Sequence, residues 1–193
     1  MKRICVYCAS SDAIDPSFHA AARALGEHLA NAGLEIVYGG GGRGSMGALA
    51  DGALKAGGSI VGILPRFMAD LEWGHPGLTH LELVEDMRER KHRMLVDADA
   101  VVALPGGCGT FEELFEAMTL KRLGIYLGPI VLVNTNRYYD PLAKVLDQAV
   151  RHRFMGDIHR RMWQLAMEPE EVLDCIRQAT PWTHEHRDQA VQR

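Results

Sequence analysis

Six short apolar runs recur along the chain: Ile4 to Cys8, Leu34 to Tyr38, Ser59 to Leu64, His80 to Val84, Ala100 to Leu104 and Pro129 to Val133. Each has the length of a strand, and most are separated by stretches with helical spacing or helix-start signals. Alternating strands and helices can bury their apolar faces together only as a parallel sheet covered on both sides. The expected fold is therefore a Rossmann-like, doubly wound α/β domain with helices on both faces. Residues 1–180 are expected to form this single domain, followed by a polar tail over residues 181–193, frayed from Trp182 onward. A chain of 193 residues with 47% hydrophobic content has enough apolar material for one full core.

The helices have readable boundaries. Asp15 and Pro16 form an N-cap and first-turn pair, with Phe18, Ala22, Leu25 and Leu29 on one stripe and Gly33 as the stop. A small-residue helix is expected from Ser45 to Ala56. Asp86-Met87-Arg88-Glu89 resembles a capping box and opens a helix carrying Arg90 and Lys91. Another helix is expected from Thr110 to Leu120. Asp140-Pro141 and Glu168-Pro169 each open one more. Residues 65–79, rich in Pro and Gly, read as irregular.

Composition narrows the function classes. The formal net charge is -4, so there is no basic excess to neutralise a nucleic-acid backbone. Mean hydropathy is -0.10, and no apolar run approaches the roughly 20 residues that a membrane span needs. No signal peptide is read at the N-terminus, and the expected location is the cytoplasm. Cys5 and Cys8 spell CxxC, but on a strand that spacing sends the two side chains to opposite faces, so both read as structural thiols. The nine histidines form no metal-ligand pattern, and Met87, Met94, Met118, Met155 and Met162 read as core residues.

In parallel α/β sheets, ligands bind beyond the carboxyl ends of the strands. That directs attention to the turns after the first, second and fifth runs. The fifth is followed by Pro105-Gly106-Gly107-Cys108-Gly109-Thr110-Phe111-Glu112-Glu113. Glycines let backbone approach a ligand, and the next helix aims its unpaired amides and positive dipole end at the same spot. This is either a phosphate cradle or a tight strand-to-helix turn. Glu112 and Glu113 either complement the dipole or face a part of the ligand where positive charge develops. The second run leads into Gly39-Gly40-Gly41-Gly42-Arg43-Gly44. No acidic residue sits at the end of the following run, as a dinucleotide site requires, and no Lys completes a Walker loop. These glycines read as a second wall of a nucleotide pocket.

Four segments in order carry a resemblance. PGGCGTFEE resembles the PGGxGTxxE motif of the Lonely Guy family of cytokinin-activating nucleoside 5′-monophosphate phosphoribohydrolases. Glu89-Arg90-Lys91 is similar to its Arg-Lys pair, YGGGGRGSMG to its glycine-rich segment and Cys8-Ala9-Ser10-Ser11 to its CGSS, with alanine replacing glycine. The resemblance runs from Ile4 to Phe154. It implies release of a free base and ribose 5-phosphate from an adenosine 5′-monophosphate, N6-modified or not, with no cofactor and no metal. It implies catalytic Arg90 and Glu113, and substrate contacts at Glu72, Lys91, Gly106, Gly107, Cys108, Gly109, Thr110, Phe111, Glu112 and Thr119, with Gly39, Gly40 and Gly41 as the facing wall. It also implies a homodimer. The chain departs from the family at Leu120-Lys121-Arg122, where Trp and Gln are common, and at Arg43 and Ser45.

Three other functions compete: a general AMP nucleosidase, a nucleotide sensor without catalysis, and a Cys108 nucleophile activated by the helix end. Relatives are also sometimes labelled lysine decarboxylases, but none of the five lysines sits in a recognisable pyridoxal-phosphate setting.

Overall fold

Every strand of the sheet runs parallel, which requires a crossover between neighbours. The computed structural model describes residues 1–71 and 73–189. Among these, seven strands form one sheet: β1 (Arg3–Tyr7), β2 (Glu35–Tyr38), β3 (Ile60–Pro65), β4 (His80–Val84), β5 (Ala100–Ala103), β6 (Ile130–Val133) and β7 (Gln164–Ala166). Their order is β4-β3-β2-β1-β5-β6-β7. The helices are α1 (Pro16–Asn31), α2 (Gly44–Lys55), α3 (Arg66–Ala69), α4 (Met87–Leu95), α5 (Cys108–Arg122), α6 (Asp140–Arg151) and α7 (Val172–Gln178).

Side-chain alternation assigns the layers. Ile4, Val6, Ile36, Tyr38 and Val102 point to a core shared with α1, α2 and α7. Cys5, Tyr7, Val37, Ile63 and Val101 point to the opposite core, under α4, α5 and α6. Strands buried on both faces need continuous apolar runs, as the sequence provides. Each fully buried Leu, Ile or Val contributes about 1.5–3 kcal/mol. Cys5 and Cys8 are both free and buried, in opposite cores.

The winding reverses at β1, which pairs with β2 on one side and β5 on the other. Such a reversal opens a crevice at the carboxyl ends of the strands. Here the turns after β1, β2 and β5 meet around it. The Met46 amide donates to the Ala9 carbonyl at 3.0 Å, and the Gly44 amide donates to Asp12 Oδ1 at 2.8 Å. These bonds tie the second turn to the first.

Helix starts follow the expected caps. Asp15 accepts from the Ser17 amide at 2.9 Å, and Asp86 accepts from the Glu89 amide at 2.8 Å. Glu89 reaches back to the Glu85 amide at 2.9 Å, one residue before the cap. α5 begins at Cys108, two residues earlier than the sequence indicates, because Gly107 itself serves as the cap.

Besides short 3-10 turns, the described residues add a strand and a helix. β7 is only three residues long, and α3 lies inside the stretch that reads as irregular. The structure also corrects one expectation. The chain is not frayed at Trp182, which is buried and donates its indole N–H to the Lys121 carbonyl at 2.7 Å. Trp182 stacks on His186, and the His184 ring nitrogen meets the Gly124 carbonyl at 2.8 Å. No described helix is long and apolar enough to cross a membrane.

Candidate active site

α4 and α5 carry the two groups that matter most. Arg90 sits on α4 with its side chain only 7% exposed, and Glu113, equally buried, projects from the first turns of α5. Their nearest atoms, Arg90 Nη1 and Glu113 Oε1, are 3.7 Å apart. The guanidinium is held by carbonyls: Nε donates to Ile63 O at 3.1 Å and Nη2 to Gly39 O at 2.8 Å. Gly39 is required here, since a Cβ would stand 2.0 Å from Arg90 Nη2. Two carbonyl acceptors and one carboxylate leave Arg90 little freedom, so it presents a fixed positive charge.

Burial raises the Glu113 carboxyl from its ordinary value to about 7. Arg90 and Lys91 pull it down, while Glu112 and Glu116 push it up. Desolvation outweighs the arginine because the pair is not in tight contact. A carboxyl poised near neutrality, beside a fixed cation and at the mouth of a crevice, is suited to proton transfer or to stabilising positive charge.

The turn after β5 is open where a ligand would enter. Gly107, Cys108 and Gly109 are exposed and Thr110 is buried. The first turn of α5 leaves the amides of Cys108, Gly109 and Thr110 without intrahelical partners, and Gly107 has no side chain to cap them. A Cβ on Gly107 or Gly109 would meet no atom within 4 Å. Gly106 differs, because a Cβ there would stand 2.1 Å from Thr110 Oγ1. The turn is buttressed from behind: Tyr138 donates its hydroxyl to Gly106 O at 2.6 Å, and Tyr139 donates to Leu104 O at 2.7 Å. Phe111 stacks on Tyr138, with ring centroids 6.3 Å apart.

The structure thus brings together Arg90, Glu113 and Gly39, with the Gly106 to Thr110 turn at the start of the helix that carries Glu113. Lys91 and Glu112 form an ion pair, and Lys91 also reaches Glu116 at 3.1 Å. Glu112 and Thr119 lie on the exposed side of α5, about two helical turns apart, so the fold of this chain does not bring Thr119 to the Arg90–Glu113 pair. Glu72 lies outside the described residues. Residues the sequence reading missed are Tyr138 and Tyr139, which set the turn from behind, and Trp73, Met68 and Leu71. The last three form, with Arg90, Met46 and Leu64, part of the wall of a cavity of about 470 Å³. Their signal in the sequence is weak, because apolar residues in a Pro/Gly-rich stretch carry no periodicity.

Fold and site define an α/β protein with a buried carboxyl–arginine pair at the switch point of a parallel sheet, arranged as in an enzyme. A protein-family profile described as possible lysine decarboxylase matches residues 46–176. The chain is 38% identical over 177 residues to a cytokinin riboside 5′-monophosphate phosphoribohydrolase of Rhodococcoides fascians, covering 91% of this chain and 89% of the relative. It is 37% identical over 180 residues to one of Arabidopsis thaliana, covering 93% and 83%. A probable one from Oryza sativa subsp. japonica is 37% identical over 188 residues, covering 97% and 83%. The chain belongs to the cytokinin riboside 5′-monophosphate phosphoribohydrolase family. A structural-genomics target solved by X-ray diffraction superposes with a TM-score of 0.72 at 28% identity, over 92% of this chain and 99% of that one. A molybdenum cofactor carrier protein from Chlamydomonas reinhardtii shares the fold, with a TM-score of 0.69 at 20% identity over 92% and 97%.

Proposed function

We propose that this chain hydrolyses the N-glycosidic bond of an adenosine 5′-monophosphate, releasing the free base and ribose 5-phosphate. The observation that carries this reading is the Arg90–Glu113 pair, buried next to the open N-terminus of α5. The relatives' activity fits the same geometry.

The 5′-phosphate sits on the free amides of Cys108, Gly109 and Thr110, where the helix dipole favours an anion. Binding at this remote group supplies energy for the step at the sugar. Departure of the base leaves positive charge on the ribose ring, as in other glycoside hydrolyses. The Glu113 carboxylate stabilises that charge and takes a proton from the attacking water. Arg90 holds its proton throughout, so it orients Glu113 and steadies the electron-rich departing base. Water supplies both the hydroxyl that ends on the sugar and the proton that the free base carries away. Neither a metal nor an organic cofactor enters this scheme.

Two finer readings accompany it. The exposed face bearing Phe115, Leu123 and Ile125, beside Thr119, supports a homodimer in which this surface is covered. The four free thiols support a cytoplasmic setting, where cysteines stay reduced.

The deciding experiment incubates the protein with AMP and, separately, with N6-isopentenyladenosine 5′-monophosphate, and quantifies base and ribose 5-phosphate. The matching nucleosides are the controls. Base release from the monophosphates alone is expected. Tight binding of both with no release would replace hydrolysis with nucleotide sensing.

A further inference from the structure

After β6 the chain turns a corner through backbone that most residues avoid. Asn136 (φ 53°) and Arg137 (φ 58°) are consecutive and left-handed, and neither is glycine. Such backbone persists only where its surroundings hold it. The Asn134 side chain holds it from within: Oδ1 accepts from the Tyr139 amide at 2.7 Å, and Nδ2 donates to Asp140 Oδ1 at 2.8 Å. Asn136 Nδ2 donates to Ser17 Oγ on α1 at 2.7 Å. The corner delivers two adjacent tyrosines to the turn after β5, and their hydroxyls serve different parts of it. Tyr139 is fully buried and donates to Leu104 O, just past the end of β5. Tyr138 reaches two residues further and donates at 2.6 Å to Gly106 O, the carbonyl just before the α5 cap. In a trans peptide the N–H points opposite to the C=O. The bond from Tyr138 therefore also fixes the direction of the Gly107 amide, turned away from the tyrosine. That amide has no partner among the described residues, and a Cβ on Gly107 would meet no atom within 4 Å.

We propose that Tyr138 is a positioning residue for the substrate's 5′-phosphate. Its hydroxyl locks the Gly106–Gly107 peptide and aims the Gly107 amide at the anion, beside the amides of Cys108, Gly109 and Thr110. This rests on the hydrolase reading, which places the phosphate at the start of α5. Tyr138 acts through Gly106 rather than on the substrate. Its ring is held independently of the hydroxyl, by the stack on Phe111 and an edge contact with Phe18 at 5.9 Å. Without the hydroxyl the peptide is free to turn, and the cost of ordering it falls on the phosphate as it binds. The preference for a nucleotide over a nucleoside then depends on one hydroxyl outside the four segments that carry the family resemblance.

The test uses the full chain, with ribose 5-phosphate as the probe and adenosine as the phosphate-free control. Tyr138→Phe keeps the ring and loses only the hydroxyl. In calorimetric titration it should bind ribose 5-phosphate about 10-fold more weakly, the size of one hydrogen bond, and adenosine as wild type does. Its kcat/KM for AMP should fall by a similar factor, mostly through KM. Tyr126→Phe removes another buried hydroxyl, one that meets Pro129 O at 3.5 Å away from the turn, and should change none of these values. In the wild type, ribose 5-phosphate should slow hydrogen exchange at the Gly107 amide, read by NMR. Equal ribose 5-phosphate affinity in Tyr138→Phe, or no slowing at Gly107, overturns the proposal. So does an equal loss of adenosine affinity, which would mark a merely structural role. If AMP yields base and its KM is unchanged in Tyr138→Phe, the positioning role fails and hydrolysis stands. If no nucleotide yields base while ribose 5-phosphate binding still depends on Tyr138, hydrolysis fails and the positioning role stands.

Discussion

Glu113 is the residue whose environment says most about its work. Its carboxyl is raised to about 7 by burial, so in the free protein it loses its proton near neutrality. If the ionised form is the active one, kcat/KM rises with pH through that value. Arg90 holds the carboxyl down, so Arg90→Ala should move the midpoint of this limb upward as well as cutting the rate. Glu113→Gln should keep nucleotide binding and lose about 10²- to 10⁴-fold in turnover, measured by single-turnover base release. Cys108→Ser should retain turnover, since the Cys108 thiol is exposed and the scheme uses only its backbone amide. The same group makes a stability prediction. An acid whose folded value lies above its unfolded one stabilises the fold only while protonated. That contribution is complete below about 4.5 and is lost as pH rises to about 7. Relative to Glu113→Gln, wild type should therefore lose on the order of 2 kcal/mol between those limits, read from urea midpoints. A constant difference across the range would mean that Glu113 is not buried as described.

At the scale of elements, α1 and α2 share a core and come into closest approach at two glycines. A Cβ on Gly26 would stand 2.2 Å from the Leu49 carbonyl oxygen, and one on Gly52 would stand 2.1 Å from Arg23 O. Gly26→Ala must push the helices apart, at about 2–3 kcal/mol, measured as a drop in denaturation midpoint. Because α2 starts at the glycine run, the same change should also loosen the wall beside the Arg90–Glu113 pair. Gly26 was legible as part of α1 but not as a contact, since its small size has meaning only once α2 lies against it. Strand positions were legible because buried parallel strands need unbroken Val/Ile/Leu runs, and helix starts because Asp15 and Asp86 cap in the expected way. β7, with three residues beginning at Gln164, is too short to show a pattern. The Arg90–Glu113 pair could be named through motif resemblance, but its geometry could not. Arg90 is fixed by Ile63 O and Gly39 O, two backbone atoms whose positions depend on the whole sheet. The segment at Trp73 was hidden for a similar reason: its composition says loop, and only two backbone bonds to the glycine run, from the Gly42 amide to Trp73 O and from the His75 amide to Gly40 O, say where that loop lies.

At the scale of the whole molecule, the chain closes onto the helix that carries Glu113. α5 runs from its cap at Gly107 to Arg122, and its far end is covered by Trp182. The indole accepts a cation–π contact from Lys121 Nζ at 5.6 Å while donating to the Lys121 carbonyl, and Lys121 Nζ donates to Gly128 O. Burial lowers the Lys121 amine to about 8, so this end of α5 carries a charge that needs its partners. The position of α5 along its axis, and with it that of Glu113, is thus fixed from both ends. Trp182→Ala opens a large void and leaves the Lys121 carbonyl and amine less well satisfied. The expected loss is about 3–5 kcal/mol in a denaturant titration. Trp182→Phe refills most of the volume but cannot donate to Lys121 O, so it should lose about 1 kcal/mol. If Trp182 only stabilises the fold, kcat in both variants well below their melting temperatures should match wild type. A fall in kcat with KM unchanged, in fully folded Trp182→Phe, would instead show that the far end of α5 sets the placement of Glu113.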